Sequence, residues 1–209
     1  MMVSHAHRDA MFVLRWTLAA EAEADRHTRT RQKPLSVIRE SLDWDSMLVA
    51  DATDEQTARL EDTSPKDRHV LAAAVAAGAR AVVTRNVADF GRTDLGRTGT
   101  VAVHPDLFLA TTTTSAMYHA TLVQMSTART LPPNTPETLH TALATEHPRL
   151  VEAMRWVFPG VQPSPTDHNP PAESFRGNRC LRCGKTLRDP GSLTLGVGPE
   201  CRRGVDART

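Results

Sequence analysis

The chain has 209 residues, 40% hydrophobic and only 4% aromatic, with a formal net charge of +1. That length suits one ordinary domain plus a small appendage, with a core built from Leu, Val and Ala. The balanced charge excludes a bulk pull toward nucleic acid or membrane, no segment is long and apolar enough to span a bilayer, and Asp9 and Arg15 break any signal-peptide pattern, so a cytoplasmic protein is expected.

In chain order, the Ala-, Leu- and Glu-rich stretch Met11 to Arg26 predicts a helix. Leu35 to Leu42 predicts a second helix after Pro34, and Met47 to Ala50 a short apolar strand. Ser64 reads as the N-cap, with Pro65 at the first position, of a helix over Asp67 to Ala77 that Gly78 ends. Strands are expected at Ala81–Thr84 and Val101–Val103, and a helix from Pro105 to Ala110. The order strand, helix, strand implies a parallel pair with a right-handed crossover. The nearly all-apolar 81–84 strand implies cover on both faces. The fold class is therefore α/β.

Thr111 to Thr114 reads as a loop or helix entry. Helices are expected over Thr111 to Arg129, Pro136 to Glu146 and Pro148 to Phe158. Their apolar spacing (Leu139, Leu143, Leu150, Val151, Met154) fits packing on the main domain, or else an oligomer or partner surface. Prolines at 159, 163, 165, 170 and 171 mark a linker over 159–175. The last segment, 176–206, reads as a small loop-rich module.

In open α/β sheets, sites form beyond the carboxyl ends of strands. Asp67, before the 81–84 strand, and Asp89, after it, both fall there. Singly, Asp67 could serve the helix dipole and Asp89 could be a solvated loop acid. Together they fit a Mg²⁺ or Mn²⁺ site, because these cations prefer carboxylate and water.

The run Ser64-Pro65-Lys66-Asp67-Arg68-His69-Val70-Leu71-Ala72-Ala73-Ala74, then Gly78-Ala79, Val82-Val83-Thr84-Arg85-Asn86 and Asp89-Phe90, resembles the second half of PIN domains. His104-Pro105-Asp106-Leu107-Phe108-Leu109 resembles the segment that closes them. The resemblance covers residues 10–110 and is most specific in its second half. It implies a PIN-like sheet and a ribonuclease of the toxin–antitoxin kind, with RNA as substrate and an antitoxin protein as partner. It also implies an acid cluster holding Mg²⁺ or Mn²⁺. By the resemblance, Asp67 and Asp89 are cation ligands, Thr84 and Asn86 flank them, and Glu23 is the helical glutamate after Trp16-Thr17, with Glu21 competing for that role. The family's opening strand and its terminal aspartate have no counterpart here, so a PIN-like domain over residues 1–110 without its first strand is expected. Hydrolysis of RNA phosphodiesters and a catalytically inactive RNA- or protein-binding role on the same fold both remain open.

The three cysteines lie at 180, 183 and 201. A Cys-x-x-Cys turn followed by Gly184 can hold a metal from two thiolates, and Cys201 adds a third. A module over 176–206 is too small to stand on apolar burial alone, so structural zinc is expected at Cys180, Cys183 and Cys201. A fourth ligand could come from His168, Asp189, Glu200 or Asp206. The segment resembles a small three-cysteine domain of unknown function. Arg176, Arg179, Arg182, Lys185, Arg188, Arg202 and Arg203 give it local positive charge, which fits either RNA contact or ordinary solvation.

Overall fold

The computed structural model describes residues 12–28, 33–41, 43–128, 134–161 and 173–206. It is a mixed α/β structure around a three-stranded sheet.

Helix α1 (Leu18–Arg26) starts at Thr17, whose hydroxyl accepts from the Ala20 amide. The expected start near Met11 is therefore wrong. Phe12 to Trp16 lies outside the helix; Trp16 N–H donates to Met47 O at 3.3 Å and Val49 N–H to Trp16 O at 3.0 Å. Aromatic and β-branched residues favour such backbone, and the Thr17 cap fixes where the helix begins. The strand expected at 47–50 shrinks to one parallel bridge, Trp16 to Leu48, after a single tight turn at Asp45–Met47. Helix α2 is Leu35–Ser41. Helix α3 (Asp54–Ala58) was not legible from apolar spacing and opens with a Thr53/Gln56 capping box.

Ser64 is not the cap of the next helix. Its carbonyl accepts from the Asp67 amide at 2.8 Å, so Ser64-Pro65-Lys66-Asp67 is a tight turn, and Asp67 is the N-cap of α4 (Arg68–Ala76). Gly78, at φ +66°, ends that helix. Strand β1 (Ala81–Val83), helix α5 (Arg92–Thr98), strand β2 (Val101–Val103) and helix α6 (Pro105–Thr112) follow. The strands β1 and β2 are parallel, with Ala81 opposite Val101 and Val83 opposite Val103.

Strand β3 (Phe175–Arg176) pairs antiparallel with β2, giving the order β1-β2-β3. Alternation along the strands then makes two cores. Val82 and Ala102 pack with Leu60, Leu71, Val87, Phe90 and Leu95. Val101 and Val103 pack with Leu107, Phe175, Cys180, Leu187 and Val197. The C-terminal segment thus supplies both a strand and one covering layer. The cover expected on both faces of β1 is incomplete: Val83 is 40% exposed, because β1 is an edge strand and the second layer centres on β2.

Helices α7 (Ser115–Ala128), α8 (Pro136–Leu143) and α9 (Pro148–Ala153) build a third core of Tyr118, Leu122, Leu139, Leu150, Met154 and Phe158. Thr111 and Thr112 end α6, and the Thr114 hydroxyl accepts from Met117 N–H at the start of α7. In the C-terminal segment, α10 (Pro190–Leu195) and α11 (Pro199–Asp206) stand where loops were expected. Most of the proline-rich stretch lies outside the described residues.

Candidate metal centres

The first centre lies where the turn before α4 meets the loop after β1. Asp67 occupies an N-cap position, yet its side chain makes no capping hydrogen bond. Its Oδ2 is buried without a hydrogen-bond partner. The Asp89 carboxylate accepts an ion pair from Lys66 Nζ at 2.8 Å, and the same ammonium lies 3.9 Å from Asp67 Oδ2. Burial pushes the Asp67 carboxyl above the usual carboxylate range. Lys66 opposes that shift, while the charges of Asp89 and Glu23 add to it. Lys66 is raised by its hydrogen bond to Asp89 and by the fields of Asp89, Asp67 and Glu23. Asp67, Asp89 and Glu23 therefore share one electrostatic neighbourhood.

Glu21 stands elsewhere. It is buried, accepts from the Trp16 indole at 3.0 Å and from Arg39 Nε at 2.8 Å, and its carboxyl is held low chiefly by Arg39. That engagement ties α1 to α2. Thr84 accepts from the Asn86 amide through its hydroxyl at 3.1 Å, and Asn86 O accepts from the Asp89 amide at 3.1 Å. These two residues shape the loop, and Asn86 lines a cleft of about 580 Å³ with Arg85, Asp89, Arg92 and Glu173.

The loop is laced to the turn opposite. Asp89 O accepts from the Ser64 amide at 2.8 Å. Buried Asp94 accepts from the amides of Asp62 and Thr63 at 3.0 and 2.8 Å. Gly91 N–H donates to Thr63 Oγ1, and a Cβ there would lie 2.4 Å from Asp62. Sequence reasoning missed Lys66, Asp94 and Gly91. Only Lys66, adjacent to Asp67, carried a local signal.

Asp67 and Asp89 flank one ammonium, Lys66, and Asp67 keeps a buried oxygen without a hydrogen-bond partner. Among the described residues the acids do not form a group of three close donors; that arrangement is found only at the cysteines.

The second centre is Cys180, Cys183 and Cys201, whose sulfurs lie within 4.8 Å of one another. Cys180 and Gly184 close the knuckle: Gly184 N–H donates to Cys180 O at 2.9 Å and Cys180 N–H to Lys185 O at 2.8 Å, with Gly184 at φ +73°. Burial raises the Cys180 thiol, but amides of Cys183, Gly198 and Arg182 outweigh it and bring the thiol down to about 7. Cys201 is pushed up to about 12 by burial and by its two sulfur neighbours. Three sulfurs at this separation have the spacing at which thiol ligands meet one metal ion. Among the described residues no fourth ligand joins the group. Asp189 caps α10 through Ser192 N–H, and Glu200 reaches Lys185 at 3.4 Å. His168 and the Asp206 side chain lie outside the described residues.

Residues 170–206 match a family of unknown function, DUF6011. The chain is also 37% identical over 100 residues to a Mycobacterium tuberculosis protein named "Putative ribonuclease VapC50", a match covering 47% of this chain and 59% of that relative. The chain thus spans little more than half the length of the curated relative it matches. No solved structure matches it.

Proposed function

We propose that Glu23, Asp67 and Asp89 form the divalent-cation site of a PIN-type ribonuclease. The observation that carries this reading is the buried Oδ2 of Asp67, which has no hydrogen-bond partner and shares the Lys66 ammonium with the Asp89 carboxylate. The partial likeness to the named ribonuclease supports the same reading. Asp67 and Asp89 would hold Mg²⁺ or Mn²⁺, with Glu23 adding negative field from α1. When bound, such a cation makes a coordinated water nucleophilic near neutral pH and neutralises charge growing on the phosphodiester. Thr84 and Asn86 keep the loop shape that aims Asp89. The cleft beside it, with Arg85 and Arg92 on its walls, is where an RNA backbone would lie. An antitoxin protein is the partner this reading implies.

The cysteine cluster is proposed to hold structural zinc, with Cys180, Cys183 and Cys201 as ligands.

The test is Mn²⁺-dependent cleavage of a structured RNA by wild type and Asp67→Ala. Loss of cleavage in the variant supports the site; equal cleavage removes Asp67 from it. One observation favours the inactive, RNA- or protein-binding reading instead: the Lys66 ammonium already neutralises part of the acid cluster. RNA retention without cleavage at any Mn²⁺ concentration would establish that alternative.

A further inference from the structure

Arg176 sits on β3, opposite Ala102, immediately after Phe175. Alternation sends Phe175 into the core with Val101 and Val103, and so turns Arg176 the other way. There its Nη1 donates to Ala88 O at 2.9 Å and to Phe90 O at 3.0 Å. Asp89 O, between them, accepts from Ser64 N–H. Three successive carbonyls around Asp89 are therefore pinned, two by Arg176 and one by the turn that carries Asp67. Arg176 is itself fixed: its other terminal nitrogen bonds Glu173, and Glu173 also pairs with Arg92 at 2.6 Å. The Arg176 side chain is only 17% exposed.

We propose that Arg176 is a positioning residue for the acidic site, supplied by the C-terminal segment, which aims the Asp89 carboxylate by holding the backbone on both sides of it. The proposal rests on the reading of Asp89 as a cation ligand. The guanidinium never touches the cation; it acts through the loop. One arm of the planar guanidinium, Nη1, serves both carbonyls while the other is anchored on Glu173, a division of donors that a single flexible ammonium reproduces less well. Partners that orient ligands typically matter by about 10- to 100-fold in metal affinity.

The experiment uses the full chain as wild type, Arg176→Ala and Arg176→Lys, each checked for folding by circular dichroism. Mn²⁺ affinity is measured by titration, and amide hydrogen exchange is followed over residues 86–91. Arg176→Ala should weaken Mn²⁺ binding by about 10-fold or more and speed exchange in that loop. Arg176→Lys, which can still donate, should recover part of both. In RNA cleavage the loss should fall on kcat, with KM little changed. Unchanged exchange and unchanged Mn²⁺ affinity in a folded Arg176→Ala would overturn the proposal. If Arg176→Ala does not fold, Arg176→Lys decides: wild-type affinity and exchange with the single ammonium would likewise overturn it. If wild type binds no Mn²⁺, the ribonuclease reading fails, and faster loop exchange in the variant still identifies Arg176 as the clamp on Asp89.

Discussion

Lys66 and Asp89 form an ion pair of 2.8 Å at the mouth of the acid cluster. The Lys66 side chain is 65% exposed, so the pair is screened. A divalent cation must displace it to reach the Asp89 oxygen. Lys66→Ala should therefore tighten Mn²⁺ binding, by up to about fivefold if the pair is worth the ~1 kcal/mol upper range for exposed pairs. Titration of the two proteins at matched ionic strength checks this; weaker binding in the variant would instead give Lys66 a supporting role.

Protein purified without chelator should hold about one zinc ion per chain. Cys180→Ser and Cys201→Ser should each lose it. Because Cys180 packs in the core beneath Val101 and Val103, metal loss should also lower the melting temperature. Elemental analysis and thermal melts with and without chelator read both effects, and a metal-free wild type would dismiss the site.

The Asp106 carboxylate accepts from Arg149 and Leu150 amides at 3.1 and 3.0 Å. It thereby caps α9, whose own N-cap residue, His147, makes no side-chain capping bond. Asp106→Ala should cost about 1 kcal/mol, the usual loss on removing a capping carboxylate. Chemical denaturation measures it, and a loss below a few tenths would show that water replaces the carboxylate.

Burial lowers the pKa of His104, His140 and His147 from the ordinary 6.5. Unfolding in mildly acidic solution then takes up protons that the folded state does not hold. Stability should be full above about pH 6.5 and fall as pH drops through the lowered values. His140 also contacts the Tyr118 hydroxyl at 2.7 Å. His140→Gln keeps a polar partner for that hydroxyl and should flatten the acid limb of a melting-temperature profile between pH 7.5 and 5.5. An identical slope in the variant would remove His140 from the effect.

The parallel β1–β2 pair and α4 were legible because short-range signals agree there: Gly78 as a stop, apolar runs on both sides, and tight spacing. That Asp67 and Asp89 come to one sheet edge, near Lys66, follows from strand order; their role as cation ligands is the proposal above. Trp16 was misread because helix propensity outweighed a single Thr17 cap in the sequence reading. Arg176, Asp94 and Asp106 could not be read at all. Each acts on backbone amides or carbonyls of a distant segment, such as Asp106 on Leu150, and no side-chain type at the receiving end advertises that bond. The role of the cysteine segment was obscured in the same way. Its link to the sheet is the short strand Phe175–Arg176, whose partner lies far back in the chain.

That short strand bears on where the polypeptide may be shortened. A fragment ending before Phe175 would keep β1 and β2 but lose the neighbour of β2, baring Val101, Val103 and Leu107 together with a row of unsatisfied amides and carbonyls. Such a ribbon is adhesive toward other chains. The tail therefore covers this edge, and a chain truncated before Phe175 should aggregate more than the full chain, as light scattering at matched concentration would read.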